Sequence, residues 1–402
     1  MALNIKVGMI GLFDMLKFKK MGSNRDNVIE AAKISDIDAT WHINELGKKL
    51  HPDSQDMIVD EIVDHDNAGA KTFVLKRADG QNPAYFRAGQ YLSLKLKIGD
   101  SILTRPISIC SSPKQALEGK VAITVKTNPD GFAADWLLEN LKVGDALEVS
   151  DPQGNFYYEN LRDANDVIAL AGGSGITPFI SMARAIADGI EDFNLTILFG
   201  SRDSKCTLFK ECLDKIVAAA NGKVKVVHVL SDEKLDGYEH GFIDAELIKK
   251  YAPEGQYSIF MCGPEAMYRF AEKEIEKLNL PARLVRRELL GVAKDVTKVD
   301  GYKGDATATY KITVRKAGEE MRVIDAAANE TVLVAIERAG IKAPSRCRSG
   351  ECGWCRAQLV CGEVFIPQET DGRRWADVAN NTIHPCAAFP LSDLTLEVAG
   401  EY

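Results

Sequence analysis

The stretch SRCRSGECGWCRAQLVCGEV, residues 345–364, decides the fold of the carboxyl-terminal part of the chain. Four residues separate Cys347 from Cys352, and two separate Cys352 from Cys355. Cys386 follows after thirty more. This spacing is that of thiolate ligands to a [2Fe-2S] cluster, in which each iron prefers tetrahedral sulfur coordination. The sequence therefore predicts a [2Fe-2S] cluster in this loop.

Two alternatives stay open at this point. Zinc sites commonly pair two short CxxC units, whereas this chain offers one, so zinc is the less favoured metal. Cys361 competes with Cys386 for the fourth position. It lies in the β-type run LVCGEV, where a small buried apolar side chain is the favoured interpretation.

The composition argues against several classes of protein. The 402 residues carry 50 Lys and Arg against 58 Asp and Glu, a net charge of -8, which argues against nucleic-acid binding through phosphate contacts. No apolar run is long enough to predict a transmembrane span. The nine cysteines are odd in number and four share one short loop, which indicates a reducing compartment. Residues 1–22 lack signal-peptide features, so we expect a cytoplasmic protein.

Composition and hydrophobic patterning divide the chain into four regions. Residues 1–52 form a polar extension with helical character. Residues 53–160 hold short alternating runs such as TFVLKRA and KVAITVKTN, which are typical of an antiparallel β-barrel. Residues 161–290 alternate strand-like and helical runs, which predicts a parallel sheet in an α/β domain. Residues 305–402 follow the linker GYKGDATA and predict two strands, a helix and the cysteine loop.

A glycine-rich turn, AGGSGITP at residues 171–178, follows the apolar strand VIALA and opens a helix. Gly172, Gly173 and Gly175 permit a tight turn whose N–H groups, with the helix N-terminus, can hold a pyrophosphate. The turn is not GxGxxG, so the ordinary dinucleotide fingerprint is absent. A ligand site and a simple chain reversal are equally supported by this motif alone.

Three motifs in order carry a resemblance to a known superfamily. They are TRPISICSS at residues 104–112, AGGSGITP, and MCGPEAM at residues 261–267. In this order the chain resembles the ferredoxin-NAD(P)H reductase superfamily over residues 53–290, and its last part resembles the plant-type ferredoxin family. Together they resemble fused reductases that feed oxygenases or hybrid-cluster proteins. The resemblance implies a multidomain α/β and β protein: an antiparallel flavin-binding β-barrel, a parallel α/β nucleotide-binding domain and a C-terminal β-grasp ferredoxin domain.

The resemblance also implies a flavin site on the barrel. Its residues are Arg105, Pro106, Ile107, Ser108, Gly131 and Phe132. Arg105 would pair with a flavin phosphate, and Ser108 would hydrogen-bond near the flavin N5 atom. Ile107 stands where the family often has a stacking tyrosine, and Ala134 where it often has Ser or Thr. FAD is the favoured flavin, and FMN stays open.

A pyridine-nucleotide site is implied on the α/β domain. Its residues are Gly172, Gly173, Ser174, Gly175, Thr177, Ser201, Arg202, Cys262, Gly263 and Pro264. Cys262 would lie beside the nicotinamide and, with Ser108, is counted as catalytic. Ser201 and Arg202 would meet the adenosine ribose or its 2′-phosphate. Asp203 would repel a 2′-phosphate, which favours NADH and leaves NADPH open.

For the cluster, the resemblance assigns four ligands. They are Cys347, Cys352, Cys355 and Cys386. Arg346, Arg348 and Arg356 flank them, where plant ferredoxins are acidic. An acceptor protein with a basic docking face is therefore not expected.

These features predict an NAD(P)H-dependent iron-sulfur flavoprotein reductase. Electrons would pass from NAD(P)H through flavin and the [2Fe-2S] cluster to a redox partner protein. Two other functions stay open, an electron-transfer subunit of a larger dehydrogenase and an iron-sulfur redox sensor.

The amino-terminal segment has one apolar helical face in its sequence. Ile5, Met9, Leu12, Phe13 and Leu16 recur at spacings of three and four. Such a face could cover the chain's own core, a groove on a partner protein or a membrane surface. We predict partner docking as its functional role.

Overall fold

The computed structural model describes residues 42–65, 68–128, 131–288, 291–316 and 318–399, together with eight positions between residues 11 and 28. The chain divides into two compact units, Met1–Lys49 and Leu50–Tyr402. Most of the predicted apolar face of the extension lies outside the described residues; Phe13 and Leu16, which are described, are helical and exposed. In the described part of the chain, no helix has the length and apolar character needed to cross a bilayer.

An antiparallel sheet of six strands follows, with the order β4-β3-β6-β1-β2-β5. A single bridge between Ile109, just after β4, and Ile123, on β5, brings the two edges of the sheet together at one end, so the predicted barrel is closed there and open along the rest of β4. Side chains such as Met57 and Phe73 are fully buried inside because residues alternate between the two faces of a strand. Helix α1 (His42–Leu50) lies at the end of the first unit, and the elements of the barrel are β1 (Ser54–His65), β2 (Ala70–Arg77), β3 (Tyr91–Ile98), β4 (Ser101–Ser108), α2 (Pro113–Leu117), β5 (Val121–Lys126), α3 (Phe132–Asn140) and β6 (Ala146–Ser150).

The second sheet is parallel, with the order β10-β9-β8-β7-β11-β12. Its central strand, DVIALAG, is almost entirely buried, as expected for a strand covered on both faces. The predicted α/β domain is confirmed. The elements are β7 (Asp166–Gly172), α4 (Thr177–Ala187), β8 (Asn194–Ser201), α5 (Lys210–Ala219), β9 (Val224–Leu230), β10 (Glu239–His240), α6 (Ala245–Tyr251), β11 (Ser258–Cys262), α7 (Glu265–Glu276) and β12 (Val285–Arg287).

The carboxyl-terminal domain is a mixed sheet with the order β14-β13-β19-β15-β17, in which β13 and β19 are parallel. One helix packs against this sheet, and the cysteine loop lies between that helix and β15. The elements are β13 (Thr309–Lys316), β14 (Arg322–Ala327), α8 (Val332–Arg338), β15 (Ala357–Cys361), β16 (Val364–Phe365), α9 (Trp375–Ala379), β17 (Thr382–Ile383), β18 (Phe389–Pro390) and β19 (Leu394–Val398).

One expectation about β15 is wrong. Cys361 is its last residue, as the strand prediction implied, but the thiol is exposed rather than buried. The pairing of β15 with β19 shifts between Leu359 and Cys361. This irregularity breaks the alternation of faces, and that alternation was the basis for expecting a buried side chain.

The carboxyl-terminal domain covers the free edge of the barrel. The backbone N–H of Thr104, on the edge strand β4, donates to Oε1 of Glu337 on α8 at 3.4 Å. The Thr104 hydroxyl lies 2.5 Å from the hydroxyl of Ser345, two residues before the first predicted ligand. The edge is therefore paired with protein groups rather than water, and the cysteine loop lies beside β4.

Arg286 joins the barrel to the α/β domain. It lies on β12, and its Nη1 donates to Oδ2 of Asp163 at 2.9 Å and to the carbonyl oxygen of Tyr157. Both partners belong to the segment that leaves the barrel. The side chain of Asp163 is fully buried and that of Arg286 nearly so. This pair fixes β12 against the exit from the barrel.

Candidate active site

Two buried hydroxyl-bearing residues mark the end of the β3 and β4 pair. Ser108, the last residue of β4, lies opposite Tyr91, the first residue of β3. Burial raises the pKa of the Tyr91 phenol, and the nearby Cys347 and Cys352 raise it further. The tyrosine is therefore neutral. The predicted flavin contact at Ser108 is close to the cysteine loop.

Arg105 lies three residues earlier on β4. Its Nη1 donates to the carbonyl oxygen of Thr104 at 2.8 Å, the only acceptor that the described residues give its guanidinium. Burial and, to a lesser extent, the nearby Arg348 lower its pKa to about 10 against the opposing effect of Glu337, so the group is still charged at neutral pH. A charged guanidinium with unused donors fits a phosphate.

The remaining predicted flavin residues have different surroundings. Pro106 lies on β4, an edge strand, where a residue without an N–H is tolerated. Ile107 packs half-buried against the barrel core. Gly131 precedes α3, and its N–H donates to the carbonyl oxygen of Asn128 at 2.8 Å. That N–H is used within the turn, whereas the adjacent Phe132 begins the helix.

The glycine-rich turn divides its glycines between two tasks. A Cβ at Gly175 would lie 2.2 Å from the carbonyl oxygen of Cys262, and one at Gly172 would lie 2.5 Å from the Met267 sulfur. These two glycines allow the turn to pack against the MCGPEAM turn. Gly173 instead has φ +54° and open space around it, so it lies on the open side of the turn, at the carboxyl ends of the strands.

Residues next to Gly173 complete this open edge. Ser174 is exposed, and its carbonyl oxygen accepts the Thr177 hydroxyl at 3.0 Å where α4 begins. Gly263 and Pro264 lie against Gly172, and a Cβ at Gly172 would lie 2.9 Å from the Pro264 ring. The predicted pyrophosphate loop and the predicted nicotinamide loop therefore form one continuous surface at the carboxyl edge of the sheet.

Cys262 and Glu288 lie together at the ends of β11 and β12. The Glu288 N–H donates to the carbonyl oxygen of Met261 at 3.0 Å, and the Tyr268 hydroxyl donates to the Glu288 carbonyl oxygen. Burial raises the pKa of the Cys262 thiol, and the nearby Glu288 raises it further, which keeps the thiol neutral.

Glu288 was missed by the sequence analysis. Its side chain is buried, and burial raises its pKa to about 8, with Glu351 and Cys347 acting in the same direction and Arg286 opposing them. At pH 7 this carboxyl is mostly protonated. The only sequence signal was an acidic residue in RRELL beyond the last strand of the α/β domain.

The adenosine end of the predicted nucleotide site lies after β8. The Ser201 hydroxyl is buried and, among the described residues, has no hydrogen-bond partner. Arg202 is exposed beside it. The Asp203 carboxylate accepts the Cys206 N–H at 2.8 Å, and Glu233 accepts the Ser204 N–H at 2.8 Å. These hydrogen bonds lower the pKa of both carboxyls, so both are negative at neutral pH.

The four predicted ligand thiols gather in one place. The Cys355 thiol donates to the Cys386 sulfur at 3.4 Å, and hydrogen bonds from the Cys352 and Cys386 thiols lower the pKa of Cys347. Three of the four are buried and Cys352 is exposed. Cys361, the competing candidate, lies apart at the exposed end of β15.

Backbone groups of the loop point at the sulfurs. The N–H groups of Ser349 and Cys352 approach the Cys347 sulfur at 3.5 and 3.4 Å, and the Trp354 N–H approaches the Cys352 sulfur at 3.4 Å. A Cβ at Gly350, whose φ is +80°, would lie 1.9 Å from the Thr370 carbonyl oxygen, so the loop needs glycine there. A four-thiol donor set with N–H donors to sulfur fits a [2Fe-2S] cluster.

Three separate parts of the fold meet at this site. Tyr91 comes from the barrel, Glu288 from the α/β domain, and Cys347 and Glu351 from the cysteine loop. The pKa values of Tyr91 and Glu288 are both raised by Glu351 and Cys347, because these groups are close neighbours. The site therefore brings predicted flavin, nicotinamide and cluster positions together.

Comparison with known proteins accounts for each of these parts. Family models match an oxidoreductase FAD-binding domain at residues 58–158, an oxidoreductase NAD-binding domain at residues 169–273 and a 2Fe-2S iron-sulfur cluster binding domain at residues 315–391. The ferredoxin reductase component of 3-ketosteroid-9-alpha-monooxygenase from Mycobacterium tuberculosis (strain CDC 1551 / Oshkosh) is 31% identical over 348 residues. That match covers 83% of this chain and 92% of the relative. The chain belongs to the iron-sulfur ferredoxin reductase family.

Further relatives agree with this assignment. One component of 1,2-phenylacetyl-CoA epoxidase from Escherichia coli (strain K12) is 29% identical over 321 residues, covering 78% of this chain and 88% of the relative. Phthalate dioxygenase reductase has the same fold, with a TM-score of 0.60 and 23% identity over 86% of this chain and 98% of that structure. This reductase is therefore an NAD(P)H-dependent oxidoreductase with FAD, NAD(P)H and [2Fe-2S] as cofactors, and it passes electrons to a protein acceptor.

The arginines around the ferredoxin reductase's cluster loop are neutralised inside the protein. Arg346 pairs with Asp151 at 2.9 Å, Arg348 with Glu337 at 2.5 Å and Arg356 with Asp377 at 3.0 Å. Arg346 and Arg348 are nearly buried. These arginines do not form a free basic face. The charge of the surface that an acceptor protein would contact therefore cannot be read from the number of arginines in the loop.

Proposed function

We propose that this reductase takes hydride from NADH at the junction of Ser108, Cys262 and Glu288 and delivers single electrons to a separate protein through the cluster loop. The observation that carries the proposal is the convergence of barrel, α/β domain and cysteine loop on one buried site. When bound, FAD accepts a hydride and gives up electrons one at a time, which joins a two-electron donor to a one-electron cluster.

The chain's own residues would position the reactants and exclude water. Arg105 would anchor the flavin phosphate, because its charged guanidinium has unused donors. Ser108 would place its hydroxyl beside the flavin ring. The neutral Cys262 thiol would line the nicotinamide side without adding charge. Glu288, mostly protonated at pH 7, would hold a proton next to the same place.

NADH is the proposed donor. Asp203 and Glu233 are both negative and both hold the loop that follows β8 through backbone N–H groups. A 2′-phosphate at Arg202 would approach these two carboxylates, whereas a ribose hydroxyl could bond to the Ser201 hydroxyl. We expect kcat/KM for NADH to exceed that for NADPH. A preference for NADPH of about tenfold, or about 1.4 kcal/mol, would contradict this assignment.

The proposed acceptor is an oxygenase component. The relatives named above belong to a monooxygenase and an epoxidase, and a third, from Chromohalobacter salexigens, is a glycine betaine monooxygenase reductase subunit. We further propose that the amino-terminal segment docks on the partner. The exposed side chains of Phe13 and Leu16 support this role. We also retain the cytoplasm as the proposed location.

The isolated chain tests this function. We expect steady-state NADH oxidation with an artificial one-electron acceptor, because all three cofactor sites are in one chain. An electron-transfer subunit that works only inside a larger complex would show no turnover, and a redox sensor would show reduction without turnover. Deleting residues 1–20 should leave this activity intact while reducing electron delivery to the native acceptor. Loss of flavin on truncation would show that the segment is structural.

A further inference from the structure

The cysteine loop is fastened to the barrel by the residue directly before its first predicted ligand. Nη1 of Arg346 lies 2.9 Å from Oδ1 of Asp151, which directly follows β6. The two side chains are only 10% and 14% exposed. A shielded pair of this kind holds its geometry more firmly than a pair on the surface, because water competes less for either charge.

Arg346 makes two further contacts, one to the cysteine loop and one to the barrel. Its guanidinium carbon lies 3.6 Å from the centre of the Trp354 ring, and Trp354 lies between the ligands Cys352 and Cys355. Its carbonyl oxygen accepts the hydroxyl of Ser93, on β3, at 3.1 Å. One residue therefore contacts both the barrel and the middle of the ligand loop.

The barrel side of this contact continues to the flavin site. The side chain of Gln153 donates to Asp151, and the Gln153 backbone exchanges two hydrogen bonds with Tyr91, at 3.0 and 2.8 Å. Tyr91 lies opposite Ser108, where the flavin ring is proposed to bind. A short series of bonds thus joins Asp151 to the residues around the flavin.

We propose that Asp151 and Arg346 are positioning residues for electron transfer from flavin to cluster, because their ion pair fixes the cluster loop against the flavin barrel. Electron transfer slows steeply as donor and acceptor move apart. Hydride transfer takes place between the barrel and the α/β domain, which Arg286 joins separately. The Asp151–Arg346 pair should therefore affect the rate of electron transfer from flavin to cluster and leave the rate of hydride transfer unchanged.

The electron balance defines which step is measured. One NADH supplies a hydride, which carries two electrons and one proton. Two successive transfers each reduce one ferric iron to ferrous iron, the acceptor reoxidises the cluster between them, and the proton goes to solvent. Neither Asp151 nor Arg346 takes up an electron or a proton in this sequence.

Arginine suits this position better than lysine. Its planar guanidinium can pair with a carboxylate at its edge and stack on an aromatic face at the same time. A lysine ammonium is a point charge without that face. Arg346→Lys should therefore keep the charge of the pair and still loosen the loop from Trp354.

The test compares two steps in holoenzyme carrying Asp151→Asn. Rapid mixing with NADH under anaerobic conditions measures flavin bleaching and cluster reduction separately. We expect flavin bleaching at the wild-type rate and electron transfer to the cluster slowed about tenfold, since small misplacements of a reacting group have effects of this order or larger. Glu148→Gln is the matched control, because the exposed Glu148–Lys95 ion pair joins two strands of the barrel, β6 and β3. It should change neither rate.

Flavin content, iron content and the cluster spectrum show whether the variant is intact. The inference depends on the ligand role of Cys347, and loss of that role would appear as missing iron rather than as a slow step. If Asp151→Asn does not assemble, Ser93→Ala removes one hydrogen bond from the same contact and should slow the same step by less. An intact Asp151→Asn or Ser93→Ala enzyme with wild-type electron transfer to the cluster would overturn the proposal.

Discussion

The cluster loop and the glycine-rich nucleotide turn carry function in different ways. In the cluster loop, the functional atoms are thiol sulfurs at fixed offsets, and the structure gathers all four predicted thiols. In the glycine-rich turn, the predicted functional atoms are backbone N–H groups, which every residue except proline possesses. Its glycines are needed partly for packing, as at Gly175, and partly for conformation, as at Gly173. A spacing motif therefore identifies side-chain ligands more sharply than it identifies a backbone cradle.

Loss of a side-chain ligand should have the largest effect. Cys352→Ser removes one of four thiolates, and we expect loss of the [2Fe-2S] centre while flavin stays bound to its separate domain. Cys361→Ser is the control, because Cys361 lies exposed at the end of β15. Iron analysis and visible absorption measure both. Cluster loss in the Cys361 variant alone would reverse the ligand assignment.

Arg105 is the side chain predicted to bind the flavin phosphate, so its loss should give the next largest effect. Arg105→Ala removes a charge-assisted bond to phosphate worth about 1.5 to 3 kcal/mol, and the affinity for FAD should fall roughly ten- to a hundredfold. Equilibrium titration of the apoprotein with FAD measures this affinity. Unchanged affinity would place the phosphate elsewhere on the barrel.

The two kinds of glycine should respond differently. Gly175→Ala forces a methyl group against the Cys262 carbonyl, and overpacking of this kind costs about 1 to 3 kcal/mol and displaces Cys262. Gly173→Ala meets open space but keeps a left-handed φ, at a cost of about 1 to 2 kcal/mol. Flavin reduction by saturating NADH should slow in the Gly175 variant and not in the Gly173 variant. Equal slowing of flavin reduction in both variants would contradict the distinction between a packing role for Gly175 and a conformational role for Gly173.

Glu288 predicts an effect on stability that depends on pH. Its pKa is raised to about 8 in the folded protein, so the folded state binds more protons than the unfolded state between about pH 4.5 and 8. The stability of the folded protein should fall with rising pH in that window, by up to about 1.4 kcal/mol per pH unit. Glu288→Gln cannot ionise. Thermal midpoints of the two proteins should lie closest near pH 4, below both pKa values, and favour the variant at pH 9; a constant difference would contradict the buried neutral acid.

The sequence predicted the three architectures because alternation and helical periodicity are local features, and the cysteine spacing predicted which four thiols lie close together. It missed Glu288 because an exposed and a buried glutamate look the same until the strands are packed. It misjudged Cys361 because a register shift in β15 is set by pairing with β19. The sequence also did not show that the loop arginines are paired with carboxylates, since Asp151 lies 195 positions from Arg346. These failures concern tertiary pairing, which no local pattern contains.

Rapid anaerobic mixing of the holoenzyme with one equivalent of NADH tests the central claim, that a single chain joins hydride transfer to one-electron transfer. Absorbance follows the flavin, and freeze-quenched electron paramagnetic resonance follows the cluster. We predict that flavin bleaching comes first and that cluster reduction follows, and that Cys352→Ser shows the bleaching alone. A cluster that stays oxidised in the wild-type enzyme while flavin is fully reduced would contradict the account.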